Sequence, residues 1–191
     1  MLYLASASPR RAELLRQIGV QFKTLSTDID ESAQAGESAL DLAMRLSRQK
    51  ARQARRQLKN LKSGDVILAA DTLISVDQHI LGKPSSPQDC ARMLRQLSGR
   101  SHQVISAIAL LNSDGRLVQA SSCNDIRFRA LDDGEIEQYC ASGEPMDKAG
   151  SYAIQGRAAI FIEHLDGSYS SVMGLPLFET AQLLQQFGYT I

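Results

Sequence analysis

Five consecutive apolar residues, Val66-Ile67-Leu68-Ala69-Ala70, constrain the fold more than any other stretch. A run without alternation has no solvent face, so as a strand it must be covered on both sides. Helices packed on the two faces of a sheet supply such cover. The run ends in Asp71-Thr72. A carboxylate at the C-terminal end of a buried strand stands where open α/β sheets place their ligands, a position that favours function, although an Asp there can also merely cap a loop. Beyond it, residues 73–76 and 79–81 predict a hairpin across Asp77-Gln78. Residues 101–111 and 116–129 read as two long strands around an Asn112-Ser113-Asp114-Gly115 turn. The predicted class is therefore α/β, with a mixed, long sheet and flanking helices.

The helices announce themselves by their starts. Residues 2–5 are long enough for a short buried strand, and Ser8-Pro9 then suits an N-cap followed by the first helical position. Arg10 and Arg11 fall in that first turn, where the helix dipole is positive and prefers anions. Two solvated surface arginines are one reading. A bound anion is the other, because free backbone N–H groups, the Ser8 hydroxyl and two guanidinium forks suit a phosphate. The helix should run to about Ile18, with Gly19 as C-cap and a strand over residues 20–25.

Ser38 opens a long helix to about Lys59. Its predicted apolar stripe is Leu40, Met44, Ser47, Ala51, Ala54 and Leu58. Arg45, Arg48, Arg52, Arg55 and Lys59 form the opposite, basic stripe, most simply a solvated face. Lys50 lies on a line with Ala43, Leu46 and Ala54, beside the buried stripe; it either snorkels or aims at an anion. Ser86-Pro87 starts a helix to Leu97, and Asp132 with Glu135 caps another to about Ala141. Residues 147–156 are loop-like. A strand at 160–165 and a helix after Gly174-Leu175-Pro176 close the chain, the helix facing its core with Leu177, Thr180, Ala181, Leu183 and Leu184.

With 191 residues, 43% of them hydrophobic, the chain can bury a sizeable core in one domain over 1–191 or one two-lobed unit. Twenty-one basic and 21 acidic residues cancel, and aromatics make up 5%, which argues against nucleic-acid and membrane partners. Cys90, Cys123 and Cys140 are odd in number and contain no C-x-x-C, so a reduced, cytoplasmic chain without a disulfide framework is expected. Ala5-Ser6-Ala7 imitates a signal-peptide cleavage site, but the apolar run before it is too short. The sequence leaves a homodimer open.

Ser8, Arg10, Arg11, Lys50 and Lys83 are anion donors, while Asp71 and Glu31 suit a divalent ion. Glu31 belongs to Asp28-Ile29-Asp30-Glu31, which reads either as a turn or as hard oxygen ligands for Mg²⁺ or Mn²⁺. His102 has no second His or Cys at ligand spacing and is expected to serve packing or hydrogen bonding. No Ser-His-Asp arrangement and no complete phosphate-loop pattern is present. Anion donors facing a metal-binding pair fit hydrolysis of a phosphoanhydride.

Seven segments in order, LASASPRRAELL, DIDES, RLSRQKA, AADT, GKP, DKAGSYAIQG and GLPLFET, resemble the Maf family of nucleoside triphosphate pyrophosphatases, also described as septum-formation-inhibitor-like. The resemblance covers essentially the whole chain. It implies an α/β fold of two lobes around a deep cleft. The implied activity is divalent-metal-dependent cleavage of a nucleoside triphosphate between its α- and β-phosphates, giving the monophosphate and pyrophosphate. Asp71 matches the family's proton acceptor. Ser8, Arg11, Glu31, Lys50 and Lys83 match its other polar cleft residues. Arg10, Thr72 and Gln155 match three positions that separate subgroups, and agree with the subgroup acting on dTTP and UTP. In the subgroup acting on 7-methyl-GTP the matching residues look like an aromatic, a Gln and a Glu. Asn124 departs from the commoner Thr, outside the motifs. The alternatives are a non-catalytic cell-division regulator binding a partner through the basic helix face, and a pyrophosphatase for modified purine nucleotides.

Overall fold

Residues 1–191 are all described by a computed structural model. The short strand β1 (Leu2–Ala5) pairs in parallel with β2 (Phe22–Leu25) and with β3 (Val66–Val76). Helix α1 (Pro9–Gln17) lies between β1 and β2 in the chain, and α2 (Ala39–Gln57) between β2 and β3. β3 turns through Asp77-Gln78 into the antiparallel β4 (His79–Leu81). Both turn residues have positive φ, as a two-residue hairpin turn matched to strand twist requires. Then follow α3 (Pro87–Leu97), β5 (Ser101–Asn112), β6 (Leu117–Phe128) and α4 (Asp133–Ala141). Three short 3₁₀ turns, at Glu144–Asp147, Ala149–Ser151 and Arg157–Phe161, lead to β7 (Ile162–Asp166), antiparallel to β6. The one-turn α5 (Tyr169–Val172) and α6 (Leu177–Gln185) end the fold. The sheet is mixed and seven-stranded, in the order β2-β1-β3-β5-β6-β7 with β4 on β3.

The chain divides into two compact units, one of Met1–Asp71, Ser106–Ser122 and Gly174–Ile191, the other of Thr72–Ile105 and Cys123–Met173. In the first, Ala5, Ala51, Ala54, Ala69 and Ala109 are buried in one cluster with Ile67 and Leu111. Their small side chains let α2 lie close on the strands. In the second, the core is aromatic. His102, Phe128, Tyr152, Phe161 and Tyr139 meet edge to face, with centroids 4.9–6.1 Å apart, a preferred geometry for ring pairs. Of the expected roles for His102, packing and hydrogen bonding both hold: its Nε2 shares a 2.8 Å hydrogen bond with Tyr152 Oη.

Several expectations need correction. The apolar run does not end its strand at Asp71; β3 continues to Val76, so the carboxylate sits in mid-strand. Polarity changes at Asp71 while burial and the extended backbone continue through it. The buried face of α2 is Leu42, Ala43, Leu46, Ser47, Ala51 and Ala54, and Leu40 is exposed. That rotation moves the face toward the line carrying Lys50. The basic stripe is not simply solvated either: Arg45 pairs with Glu37 at 2.6 Å, and Arg55 donates to the Ser113 carbonyl at 2.8 Å. Of the core positions expected on the last helix, Thr180, Leu183 and Leu184 are buried. Cys90 in α3 and Cys140 in α4 are joined in a disulfide, contrary to the reduced chain expected; only Cys123 is a free thiol. Spacing could not show this, because a 50-residue separation carries no local signature.

Candidate active site

In the first unit, the site begins at α1. Ser8 occupies the N-cap position with extended backbone, but its side chain makes no cap bond. Ser6 takes the organising part instead. Its Oγ accepts the Ser8 backbone N–H at 3.1 Å and Arg11 Nη1 at 3.2 Å. Arg11 Nε donates to the Gly174 carbonyl at 2.8 Å, tying the first segment of the chain to the start of its last. Two anchors fix this guanidinium in advance, which lowers the entropy lost on gripping an anion. Ser6 escaped the sequence reading because Ser8-Pro9 is the stronger helix-start signal. Arg10 stands half-buried in the same turn. Burial is the main cause that lowers the Arg11 pKa, Asp71 pulls it back up, and Arg10 adds a smaller lowering.

Lys50 resolves in favour of the anion. From the buried side of α2, its Nζ reaches Asp71 Oδ1 at 2.6 Å and Glu31 Oε1 at 2.6 Å. One ammonium thus bridges the two carboxylates singled out in the sequence. Their surroundings differ. The Asp71 side chain is 7% exposed and that of Glu31 54%. Burial pushes the Asp71 carboxyl above the ordinary carboxylate value, although Lys50 and Arg11 draw it down; Glu31 adds to the rise. Desolvation outweighs the cations because a mid-strand carboxylate in a sheet covered on both faces has little water. Arg10, Arg11 and Lys50 exceed Asp71 and Glu31 in charge, which leaves the cluster receptive to a polyanion.

The second unit carries Thr72, half-buried on β3, and Lys83 and Gln155, both exposed. Lys83 follows Gly82, whose carbonyl accepts the Gly150 N–H at 2.9 Å, so the Gly82-Lys83-Pro84 and Asp147–Gly156 segments touch. Gly150 has φ +63°, and a Cβ there would meet Ile74 Cδ1 at 2.7 Å, which leaves room for glycine alone. Gln155 stands at the third position of a turn closed by the Gly156 N–H and the Ala153 carbonyl at 3.0 Å.

Asp71 and Glu31 are hard oxygen donors, and the cation now between them is the Lys50 ammonium. No three His, Cys, Asp or Glu side chains converge. The donor set suits Mg²⁺ or Mn²⁺, which keep several waters and take the rest of their shell from one or two carboxylates and substrate phosphates. It does not suit a metal that needs an all-protein cage. No helix is long and apolar enough to cross a membrane.

The fold places the chain in a known class. It overlays on a HAM1 protein from Coxiella burnetii with TM-score 0.52 and 17% identity, covering 97% of this chain and 98% of that one. The Staphylococcus aureus Ham1 protein gives TM-score 0.53 at 12% identity, covering 98% and 99%. These likenesses define a mixed α/β fold of the Ham1 type. Sequence narrows the class: residues 1–187 match the Maf-like protein family model, and the chain belongs to the Maf family. Proteins named dTTP/UTP pyrophosphatase are similar over the full length. That of Chromobacterium violaceum is 49% identical, covering 100% of this chain and 96% of its own. That of Aromatoleum aromaticum is 51% identical, covering 100% and 97%.

Proposed function

We propose that this protein is a nucleoside triphosphate pyrophosphatase that hydrolyses dTTP and UTP to the monophosphate and pyrophosphate. The observation that carries the reading is the Lys50 bridge between a buried and an exposed carboxylate beside an anchored Arg11. Full-length relatives about 50% identical bear the name of that activity.

Ser8, Arg11, Lys50 and Lys83 hold the phosphate chain, and their charge offsets what builds on the departing pyrophosphate. Asp71 accepts the proton of the attacking water, which adds to the α-phosphorus as the α–β bridge bond breaks. Burial raises the Asp71 carboxyl in the metal-free chain, and a divalent cation held there would acidify the attacking water, so that an ionised carboxylate suffices as the acceptor. Lys50 leaves the carboxylates for the phosphates when substrate arrives, since a polyphosphate offers it more negative charge. Asp71 and Glu31 would then hold a divalent cation, which supplies Lewis-acid charge at the phosphoryl oxygens. Arg10, Thr72 and Gln155 choose the base; the Gln155 amide offers one donor and one acceptor to a uracil or thymine imide edge. Residues 1–191 would then act as a single domain. The work belongs in the cytoplasm, where triphosphate pools need clearing of unwanted nucleotides, with a link to division arrest as its further consequence.

The test is a panel of nucleoside triphosphates with Mg²⁺ and with Mn²⁺, scored for pyrophosphate against orthophosphate. Pyrophosphate from dTTP and UTP, lost on adding a chelator, is expected. Orthophosphate as first product, or full turnover in chelator, overturns the assignment.

A further inference from the structure

Gln155 is exposed at the tip of a tight turn, and an exposed amide on a flexible loop would discriminate poorly between bases. The turn is not left flexible. Glu144 of the following 3₁₀ turn grips its far end, and Tyr139 of α4 holds Glu144. Tyr139 Oη donates to Glu144 Oε1 at 2.9 Å. Both Glu144 oxygens accept the Arg157 backbone N–H, at 3.0 and 3.2 Å. Residue 157 is thereby held to a phenol–carboxylate pair two residues beyond Gln155, while the Ala153 carbonyl closes the turn on the Gly156 N–H. Burial and the Glu144 hydrogen bond both raise the Tyr139 pKa, so the phenol keeps the proton it donates. Gly156 completes the fit. A Cβ there would lie 2.7 Å from Glu144 Cδ and 3.0 Å from its Oε2. The carboxylate occupies the space a side chain would need, and no positive φ at Gly156 accounts for the glycine.

We propose that Tyr139 and Glu144 are positioning residues for base selection, acting through the turn that presents Gln155. This rests on Gln155 facing the base, as read above. Neither residue need touch the nucleotide. Displacing a positioned group by about 1 Å can cost on the order of 100-fold in rate, so loss of the clamp should be visible in specificity before it is visible in folding.

The experiment measures kcat and KM for dTTP, UTP and GTP in Glu144→Ala, Glu144→Gln, Gly156→Ala, the Glu144→Ala/Gly156→Ala double variant and Gln155→Ala. Glu144→Ala should raise KM for dTTP and UTP on the order of 10-fold, leave kcat within about twofold, and shrink their preference over GTP. Glu144→Gln keeps an oxygen for both donors and should restore most of the preference. Gly156→Ala should copy Glu144→Ala, and the double variant should be no worse than Glu144→Ala, because the added methyl then has nothing to displace. If Gln155→Ala alters the preference and Glu144→Ala and Gly156→Ala do not, the clamp is overturned and the reading of Gln155 stands. If Gln155→Ala leaves the preference intact, the reading of Gln155 fails and the clamp's role falls with it. Equal loss of kcat for every substrate in both clamp variants, unrelieved by Gln at 144, would mean a merely structural part.

Discussion

At the scale of single residues, the chemistry turns on how Asp71 is held ready. Burial raises its pKa while Lys50 and Arg11 oppose the rise, so Lys50 sets where the base becomes available. Lys50→Met removes the nearest cation and leaves burial less opposed. The acid limb of the kcat/KM profile should therefore move to higher pH, alongside a loss of phosphate binding. A limb that stays in place would remove Asp71 as its titrating group. Asp71→Asn should abolish turnover with little change in melting temperature; near-wild-type activity would exclude the carboxylate from the mechanism. Lys50 was legible in the sequence because its helical line runs through Ala43, Leu46 and Ala54, all buried. Ser6 was not, since a hydroxyl that orients a neighbouring arginine leaves no periodic trace. Tyr139 and Glu144 escaped for the same reason: they hold a backbone rather than a ligand.

At the scale of elements, helices were more legible than strands. Ser38, Ser86 and Asp132 each cap the helix they predicted, because a cap is a local hydrogen bond written in a few residues. β3 was cut short because an apolar run reports burial, not backbone conformation, and polarity changes midway along the strand. The Cys90–Cys140 bond between α3 and α4 was invisible because pairing depends on tertiary approach. Closing a loop across 50 residues limits the unfolded chain and contributes about 4 kcal/mol on the chain-entropy view. For a chain of this size that amounts to roughly 8–16 °C of melting temperature. A reductant, or Cys90→Ala with Cys140→Ala, should lower the midpoint accordingly. Thiol titration of the unreduced protein in denaturant should find one reactive thiol, Cys123. Three thiols and an unmoved midpoint would exclude the bond.

For the whole molecule, stability against pH follows from groups whose protonation differs between folded and unfolded chains. His102 is 3% exposed, and burial among Phe128 and Tyr152 brings its pKa down to about 4, with Nδ1 left unpartnered. The unfolded chain binds a proton there at about 6.5. Between those values the unfolded state holds more protons, so stability falls as the pH drops from about 6.5 towards 4, by at most about 3 kcal/mol. Glu37 and Glu135 act lower. Hydrogen bonds from Arg45 and Arg129 hold each at about 2, so their contributions are present above the ordinary carboxylate value and fade as the pH falls towards 2. Asp71 opposes both: its raised pKa makes protonation easier in the folded state, and acid relieves the cost of burying its charge. Its window runs from its raised pKa down to the unfolded value, so it opposes the His102 loss wherever the two windows overlap. The balance predicts a first decline in melting temperature starting near pH 6.5, before most exposed carboxylates titrate. His102→Gln keeps a polar group for Tyr152 and cannot take up a proton. Its melting temperature will be lower at pH 7.5, where the ring packing is lost, but its slope between pH 6.5 and 4 should flatten. Melting curves in a series of buffers decide it: an unchanged slope in His102→Gln would place the acid sensitivity elsewhere in the molecule.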